Sequence, residues 1–177
     1  MRANGCYEEY PLWIVLLSNS VTCAIYAIGA FVMYSIGLAW LLLYILYIVW
    51  LEIRVLRISC VNCYYYGKTC AFGKGKLVRL FSKKGNPEEF TGKRLTWKDI
   101  LPDFMVSLIP MIAAVVLLIL DFNWLLLSFL FLLLLLTLAG NGFIRGSLAC
   151  RYCQQREIGC PAQQLFNRKS QDSYERK

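Results

Sequence analysis

Two long apolar stretches alternate with two polar, basic segments along this chain. No charged residue occurs between Glu9 and Glu52, and Asp121 is the only one between Asp103 and Arg145. A helix needs about 20 apolar residues to cross a bilayer, so each stretch is long enough for two crossings. Turn residues at 35–37 and 121–123 divide each stretch near its middle. The pattern therefore predicts four transmembrane helices in two hairpins, over about 12–34, 38–55, 101–120 and 123–144.

Buried core helices or a cleaved signal peptide explain these stretches less well. The first stretch is longer than the apolar region of a signal peptide, and no small-residue cleavage motif follows a short run. The run 125–136 offers water no polar face. Of the 177 residues, 58% are hydrophobic and 17% are charged, which is less charge than a soluble domain carries. We predict an all-α integral membrane protein.

Basic residues predict how the chain is oriented. Of the 19 Lys and Arg residues, all except Arg2 lie in segments 52–103 and 145–177, and none lies in a predicted hairpin turn. Lys and Arg are retained on the cytoplasmic side of a membrane. We therefore expect a multi-pass protein of the cell membrane with both termini in the cytoplasm. The net charge of +8 then lies on the cytoplasmic face, where anionic lipid headgroups are its expected partners.

A cysteine spacing occurs twice, each time after a predicted hairpin. The two triplets are Cys60-x2-Cys63-x6-Cys70 and Cys150-x2-Cys153-x6-Cys160. Similar flanks follow them, Leu-Phe-Ser-Lys-Lys at 80–84 and Leu-Phe-Asn-Arg-Lys at 165–169. The repeated order predicts an internal duplication. A small insertion is expected in the first copy within 71–79, where Gly73 and Gly75 indicate a loop.

This duplication divides the chain into four parts. The first repeat covers 1–84, with its hairpin at about 12–55 and its cysteine loop at 60–70. A polar connector covers 85–99. The second repeat covers 100–169, with its hairpin at about 101–144 and its cysteine loop at 150–160, and a polar tail covers 170–177.

Each repeat crosses the membrane an even number of times, so the two copies have the same orientation. Copies of this kind are related by an axis along the membrane normal, which brings the two triplets together on one face. In a reducing cytosol, metal or catalytic roles of cysteine are favoured over structural disulfides. In the reverse orientation, disulfides become the first interpretation.

The two triplets resemble the binuclear zinc cluster of fungal transcription factors, in which two C-x2-C-x6-C halves hold two zinc ions. This resemblance implies that Cys60 and Cys150 bridge both ions, that Cys63 and Cys70 complete one, and that Cys153 and Cys160 complete the other. Two bridging thiolates allow six sulfurs to give each zinc four ligands. The resemblance covers the triplets alone, because a transmembrane hairpin separates them here, and it does not extend to DNA binding.

Other chemistries of the same thiols remain open. An iron–sulfur cluster usually has four thiolate ligands. Cys60, Cys63, Cys150 and Cys153 could together hold one such cluster. A redox dithiol at each Cys-x-x-Cys is a further possibility, because neighbouring cations favour thiolates. The candidate cations are Arg57, Lys68, Arg151 and Arg156. Unligated cysteine is the remaining alternative.

No catalytic motif stands out in the sequence. The chain has no histidine, and it lacks a phosphate loop, a dinucleotide fingerprint and a zinc-protease motif. The first hypothesis is a non-enzymatic binding or scaffold protein with a cytoplasmic zinc–thiolate module that docks lipid, a protein partner or a second copy of the chain. Nucleic acid is not favoured as a partner. Iron–sulfur electron transfer or thiol redox chemistry is the alternative, and an oligomeric transporter is the weakest hypothesis.

Overall fold

The protein is described by a computed structural model that covers residues 2–3, 5–86 and 97–160. Most of the predicted connector lies outside these residues, as do the flank 165–169 and the predicted tail 170–177. Two short strands, β1 (Arg2–Ala3) and β2 (Cys6–Tyr7), form an antiparallel pair at the start of the described chain. The rest of the described regular structure is helical.

Four long helices confirm the predicted all-α hairpins, and each is long and apolar enough to cross a membrane. The first hairpin consists of α1 (Leu12–Ile36) and α2 (Leu38–Val55), and a short amphipathic helix, α3 (Lys74–Phe81), follows it. The second hairpin begins with α4 (Trp97–Leu120) and continues with α5 (Trp124–Leu135). Counted with the helical turns that extend them, the four apolar helices run over 12–36, 38–60, 98–120 and 124–152, and each is long enough to cross a membrane.

The second helix of each hairpin extends beyond the predicted end as wider, π-helical turns. Residues Leu56–Cys60 continue α2. In the second hairpin, the π-helical turns Leu136–Gly140 continue α5 and lead into the short helix α6 (Asn141–Phe143). The π-helical turns Ile144–Ala149 follow, and a 3₁₀ turn, Cys150–Tyr152, ends this span. Hydropathy marks only the part of a helix within hydrocarbon, and the backbone can stay helical through the headgroup layer. Both extensions lead to the first cysteine of a triplet.

The four spans form one bundle in which the first helices of the two hairpins are central. α1 packs against α2, α4 and α5, and α4 packs against the same two outer helices. The Tyr44 side chain of α2 packs directly on the backbone of α1 at Gly29, where a Cβ atom would overlap the Tyr44 hydroxyl oxygen and lie 2.8 Å from the Tyr44 Cζ atom. Small residues allow such contacts between membrane helices.

A proline inside α4 is matched by a hydrogen bond from α2. Pro110 is fully buried and has no N–H to donate to the carbonyl of Val106, four residues earlier. The Tyr44 hydroxyl donates to that carbonyl at 2.8 Å. The tyrosine therefore satisfies a backbone oxygen within the membrane that the helix itself leaves without its usual donor.

The predicted loop at Gly73 and Gly75 is wrong in part, because α3 begins there. Gly73 has a φ of 70° and lies just before the helix, so it provides the left-handed turn. Gly75 is already helical, and a Cβ atom there would lie 2.5 Å from the Lys68 carbonyl oxygen. Glycine is needed at this position for close packing of α3 on the cysteine loop, rather than for a turn.

Candidate functional site

Both cysteine triplets lie at the same end of the bundle, where the extended second helices leave the spans. Cys60 ends the π-helical turns after α2, and Cys150 opens the 3₁₀ turn that ends the fourth span. Cys153 directly precedes a short helix, α7 (Gln154–Gly159), and Cys160 follows it. The third cysteine of the first loop, Cys70, accepts a hydrogen bond at its Sγ from the Gly75 N–H at 3.4 Å. All of the cysteines are free thiols in this structure.

The backbone at the first two cysteines of each triplet has matching hydrogen bonds in the two loops. The Cys63 N–H donates to the Cys60 carbonyl at 3.4 Å, and the Cys153 N–H donates to the Cys150 carbonyl at 3.4 Å. The bond from Tyr66 N–H to the Cys63 carbonyl measures 3.0 Å, as does its counterpart from Arg156 to Cys153. The two Cys-x-x-Cys turns therefore share this hydrogen-bond pattern as well as their spacing.

Reciprocal hydrogen bonds join these two turns. The Tyr64 N–H donates to Gln155 Oε1 at 2.7 Å, and the Gln154 N–H donates to the Tyr65 hydroxyl at 3.0 Å. The backbone N–H of the first residue after Cys63 or Cys153 thus donates to a side chain in the other loop. That side chain belongs to the second residue after the corresponding cysteine. Gln155 is 3% exposed and Tyr65 is 2% exposed, so both bonds are shielded from water.

The segment before α1 ties the two loops together a second time. The Tyr10 N–H donates to the Thr69 carbonyl at 2.9 Å in the first loop. Its hydroxyl donates to the Ala149 carbonyl at 2.5 Å, directly before the second triplet. The Tyr65 hydroxyl donates to the Tyr7 carbonyl at 2.5 Å. Burial raises the pKa of Tyr10 and of Tyr65 above the usual tyrosine value, so both hydroxyls stay protonated as donors.

These hydrogen bonds lie within a small core that includes thiols from both triplets. Cys63, Cys70 and Cys153 are partly buried and pack against the buried residues of this core. The buried members are Tyr10, Ile14, Tyr65, Ala71 and Ala149. Residues from both halves and from the N-terminal segment thus share one core at this end of the bundle.

The second cysteines of the two triplets have closely similar electrostatic surroundings. Burial raises the pKa of Cys63, and backbone hydrogen bonds from Tyr65 and Tyr64 oppose that shift. Burial likewise raises the pKa of Cys153 to about 12, against backbone hydrogen bonds from Gln155 and Arg156. The thiols of Cys70 and Cys160 also contribute to the raised pKa of Cys63.

Two of the cations expected to favour thiolates contact tyrosines instead. Lys68 Nζ lies 3.0 Å from the Tyr64 hydroxyl and 4.2 Å from the centre of that ring. The Arg151 guanidinium lies 5.7 Å from the centre of the Tyr152 ring. Burial raises the pKa of Cys63 and of Cys153 above the usual cysteine value, so both thiols are protonated at neutral pH, unlike the low-pKa thiols of redox motifs.

The donor chemistry suits a thiophilic metal, although the thiols do not converge on a single point. Two loops supply six soft sulfur donors. The Gly75 N–H also donates to Cys70 Sγ at 3.4 Å, as backbone N–H groups do around metal-bound thiolates. Within residues 2–3, 5–86 and 97–160, however, no three cysteine or acidic side chains are grouped closely enough to hold a metal ion. The structure therefore brings the two loops together, but not a complete ligand set.

The residues that join the two loops are not evident from the sequence. Tyr64 and Tyr65 occupy the same positions after Cys63 as Gln154 and Gln155 occupy after Cys153. An alignment of the two loops by residue type does not show that these positions correspond, because tyrosine and glutamine are chemically unlike. Matching them by position from the cysteines would have revealed it. Nothing in the polar segment before α1 indicated that Tyr10 bridges the halves.

Comparisons with protein-family models, curated proteins and solved structures give no match to this chain.

Proposed function

We propose that this chain is a duplicated membrane protein whose two cytoplasmic cysteine triplets form a single metal–thiolate module, with zinc as the metal. The ligands are Cys60, Cys63, Cys70, Cys150, Cys153 and Cys160. The module is non-enzymatic and holds the loops as a binding or scaffold surface at the membrane. Its partners are anionic headgroups, together with a protein or a second copy of the chain.

The reciprocal hydrogen bonds between the two Cys-x-x-Cys turns carry this proposal. They join Tyr64 to Gln155 and Gln154 to Tyr65, at 2.7 Å and 3.0 Å. Two independent metal sites would have no need of such a connection. Each triplet has three thiols, one fewer than a tetrahedral zinc site requires, so the joined halves supply what each lacks. Zinc binding then draws the six thiols into the ligand set and displaces their protons.

The arrangement of the helices supports the duplication. α1 and α4 pack against each other, and each contacts both second helices, α2 and α5. This is the arrangement expected for two hairpins related by an axis along the membrane normal. The matched hydrogen bonds at Cys60–Tyr66 and Cys150–Arg156 support the same relation at the level of the backbone.

The proposal is tested by elemental analysis and an absorption spectrum of protein purified without oxygen. We expect about two zinc ions per chain and a colourless protein. Iron with sulfide and visible absorption would instead support the iron–sulfur alternative. The absence of any metal would contradict both.

Three single substitutions provide the comparison. Cys63→Ser and Cys153→Ser should each lose zinc and, with it, protection of the loop backbone from hydrogen exchange. Cys23→Ser is the matched control, because Cys23 lies within α1, outside both triplets, and should leave the zinc content unchanged. Full zinc content in both loop variants would overturn the proposal.

A further inference from the structure

α3 has two unlike sides, one buried and one exposed. Gly75 and Val78 are buried, and Val78 is 0% exposed against the rest of the protein. The other side presents large apolar residues to the surroundings: Leu77 is 44% exposed, Leu80 is 77% exposed and Phe81 is 74% exposed. A helix of two turns that leaves three such residues uncovered has an apolar side without a partner within the described chain.

Basic residues lie among these exposed apolar residues. Lys76 and Arg79 are exposed on α3, and Lys83 and Lys84 are exposed directly after it. No acidic residue occurs between Lys74 and Lys84. A helix that combines bulky apolar residues with several cations is typical of segments that lie in the plane of a membrane interface.

Contacts with the spans place the start of α3 at the depth of the interface. Lys74 Nζ lies 2.6 Å from Glu52 Oε2, in the last turns of α2, and Glu52 Oε1 accepts a hydrogen bond from the Tyr26 hydroxyl at 2.8 Å. Just before α3, the Phe72 carbonyl accepts a hydrogen bond from Asn19 Nδ2 at 3.4 Å. Asn19 lies about two turns inside α1, so α3 begins beside the membrane spans rather than beyond them.

We propose that α3, with Lys83 and Lys84, lies in the cytoplasmic headgroup layer and binds anionic phospholipids. Leu77, Leu80 and Phe81 insert towards the acyl chains, while the four exposed cations contact lipid phosphates. A lipid surface is favoured over a protein partner because both kinds of residue are exposed at the depth where headgroups and acyl chains meet. The inference rests on the proposed membrane orientation but not on the metal.

Photo-crosslinking in lipid nanodiscs tests this assignment. The full-length protein carries a benzophenone amino acid at Phe81 and is reconstituted in discs of phosphatidylcholine with one fifth phosphatidylglycerol. We expect phospholipid adducts at this position, with phosphatidylglycerol enriched several-fold over its share of the disc. The same probe at Phe131, which is 69% exposed and lies about two turns inside the fourth span, should give adducts without that enrichment.

Charge removal separates the headgroup contact from simple insertion. Replacing Lys76, Arg79, Lys83 and Lys84 by Gln should lower the phosphatidylglycerol adducts at Phe81 to the share of that lipid in the disc. The matched control replaces Arg151 and Arg156, which are exposed cations of the second loop, and should keep the enrichment.

Three outcomes would overturn the proposal. They are an absence of lipid adducts at Phe81 while Phe131 is labelled, enrichment that survives the charge removal, and a protein adduct in place of lipid when the probe is activated in native membranes. None of these measurements depends on zinc, so a failure here is distinct from a failure of the metal–thiolate module.

Discussion

The Tyr65 hydroxyl connects the first cysteine loop both to the second loop and to the N-terminal segment. It donates to the Tyr7 carbonyl in the N-terminal segment and accepts from the Gln154 N–H in the second loop. Since Tyr65 is 2% exposed, water cannot replace either bond. One side chain therefore fixes the first loop against two other parts of the chain, close to Cys63.

Removing this hydroxyl should weaken the joined site. In Tyr65→Phe the Gln154 N–H loses its partner, which costs about 1–3 kcal/mol for a buried group. We expect zinc affinity to fall by about 10–100-fold, as is common when the groups that orient metal ligands are removed. Competition with a chelator of known affinity measures this change.

Tyr66→Phe is the matched control for that experiment. The Tyr66 hydroxyl also donates to a backbone carbonyl, that of Ser82 at 2.6 Å, but within the first half. Its loss should leave zinc affinity near that of the unmodified protein. Equal losses of affinity in both variants would show that the connection between the halves has no special role.

Among the helices, α2 and α4 are joined by two tyrosine hydroxyls that donate to backbone carbonyls. Tyr44 donates to the carbonyl of Val106, which Pro110 deprives of its usual partner, and Tyr47 donates to the Pro102 carbonyl at 2.8 Å. The sequence predicts that Pro110 interrupts the hydrogen bonding of its helix. It does not predict which side chain compensates, because that depends on how two distant helices are rotated about their axes.

A double-mutant cycle measures this compensation. Tyr44→Phe should lower the free energy of unfolding in detergent micelles by roughly 0.5–1.5 kcal/mol. In a Pro110→Ala background the same change should cost much less, because the alanine restores a backbone N–H that can donate to the Val106 carbonyl.

Tyr47→Phe serves as the comparison, and it should cost the same in both backgrounds, since Pro110 does not affect the Pro102 carbonyl. A Tyr44→Phe cost that is unchanged by Pro110→Ala would contradict the compensation.

The hairpins could be predicted from the sequence, but their ends could not. Two apolar runs of about 40 residues, which contain Asp121 as their single charged residue, leave few alternatives to paired membrane spans. The π-helical turns at Leu56–Cys60 and Ile144–Ala149 lie where polar and apolar residues mix, so hydropathy carries no signal there. At Gly73 and Gly75, composition indicated a loop, yet close packing against the Lys68 carbonyl explains Gly75 within a helix.

At the scale of the whole molecule, the account depends on a single membrane orientation. The turn at 121–123 and the triplets lie at opposite ends of the bundle, and the basic residues occur with the triplets. The candidate ligands of the proposed site could be chosen from the sequence, because a short, repeated cysteine spacing is visible along the chain. The tyrosine and glutamine side chains that join the loops could not be predicted, since their roles arise only when the halves pack.

Labelling of intact cells with a membrane-impermeant maleimide tests this orientation. Asp121 is exposed in the second hairpin turn and Lys84 is exposed after α3. With Asp121→Cys, labelling above the background of the unmodified protein should occur in intact cells. With Lys84→Cys, additional labelling should require permeabilised cells. The opposite pattern would place the triplets outside the cytoplasm and would make disulfides their expected state.

The two triplets are proposed to form one shared centre, and the zinc content of a half-site variant decides between this arrangement and two separate sites. Cys60, Cys63 and Cys70 are all replaced by Ser in the full-length protein, which leaves the second triplet intact. A shared centre predicts that zinc falls from about two ions per chain to essentially none, because three thiols alone do not complete a tetrahedral site. Retention of about half of the zinc would mean that each triplet binds metal independently, and it would contradict the account.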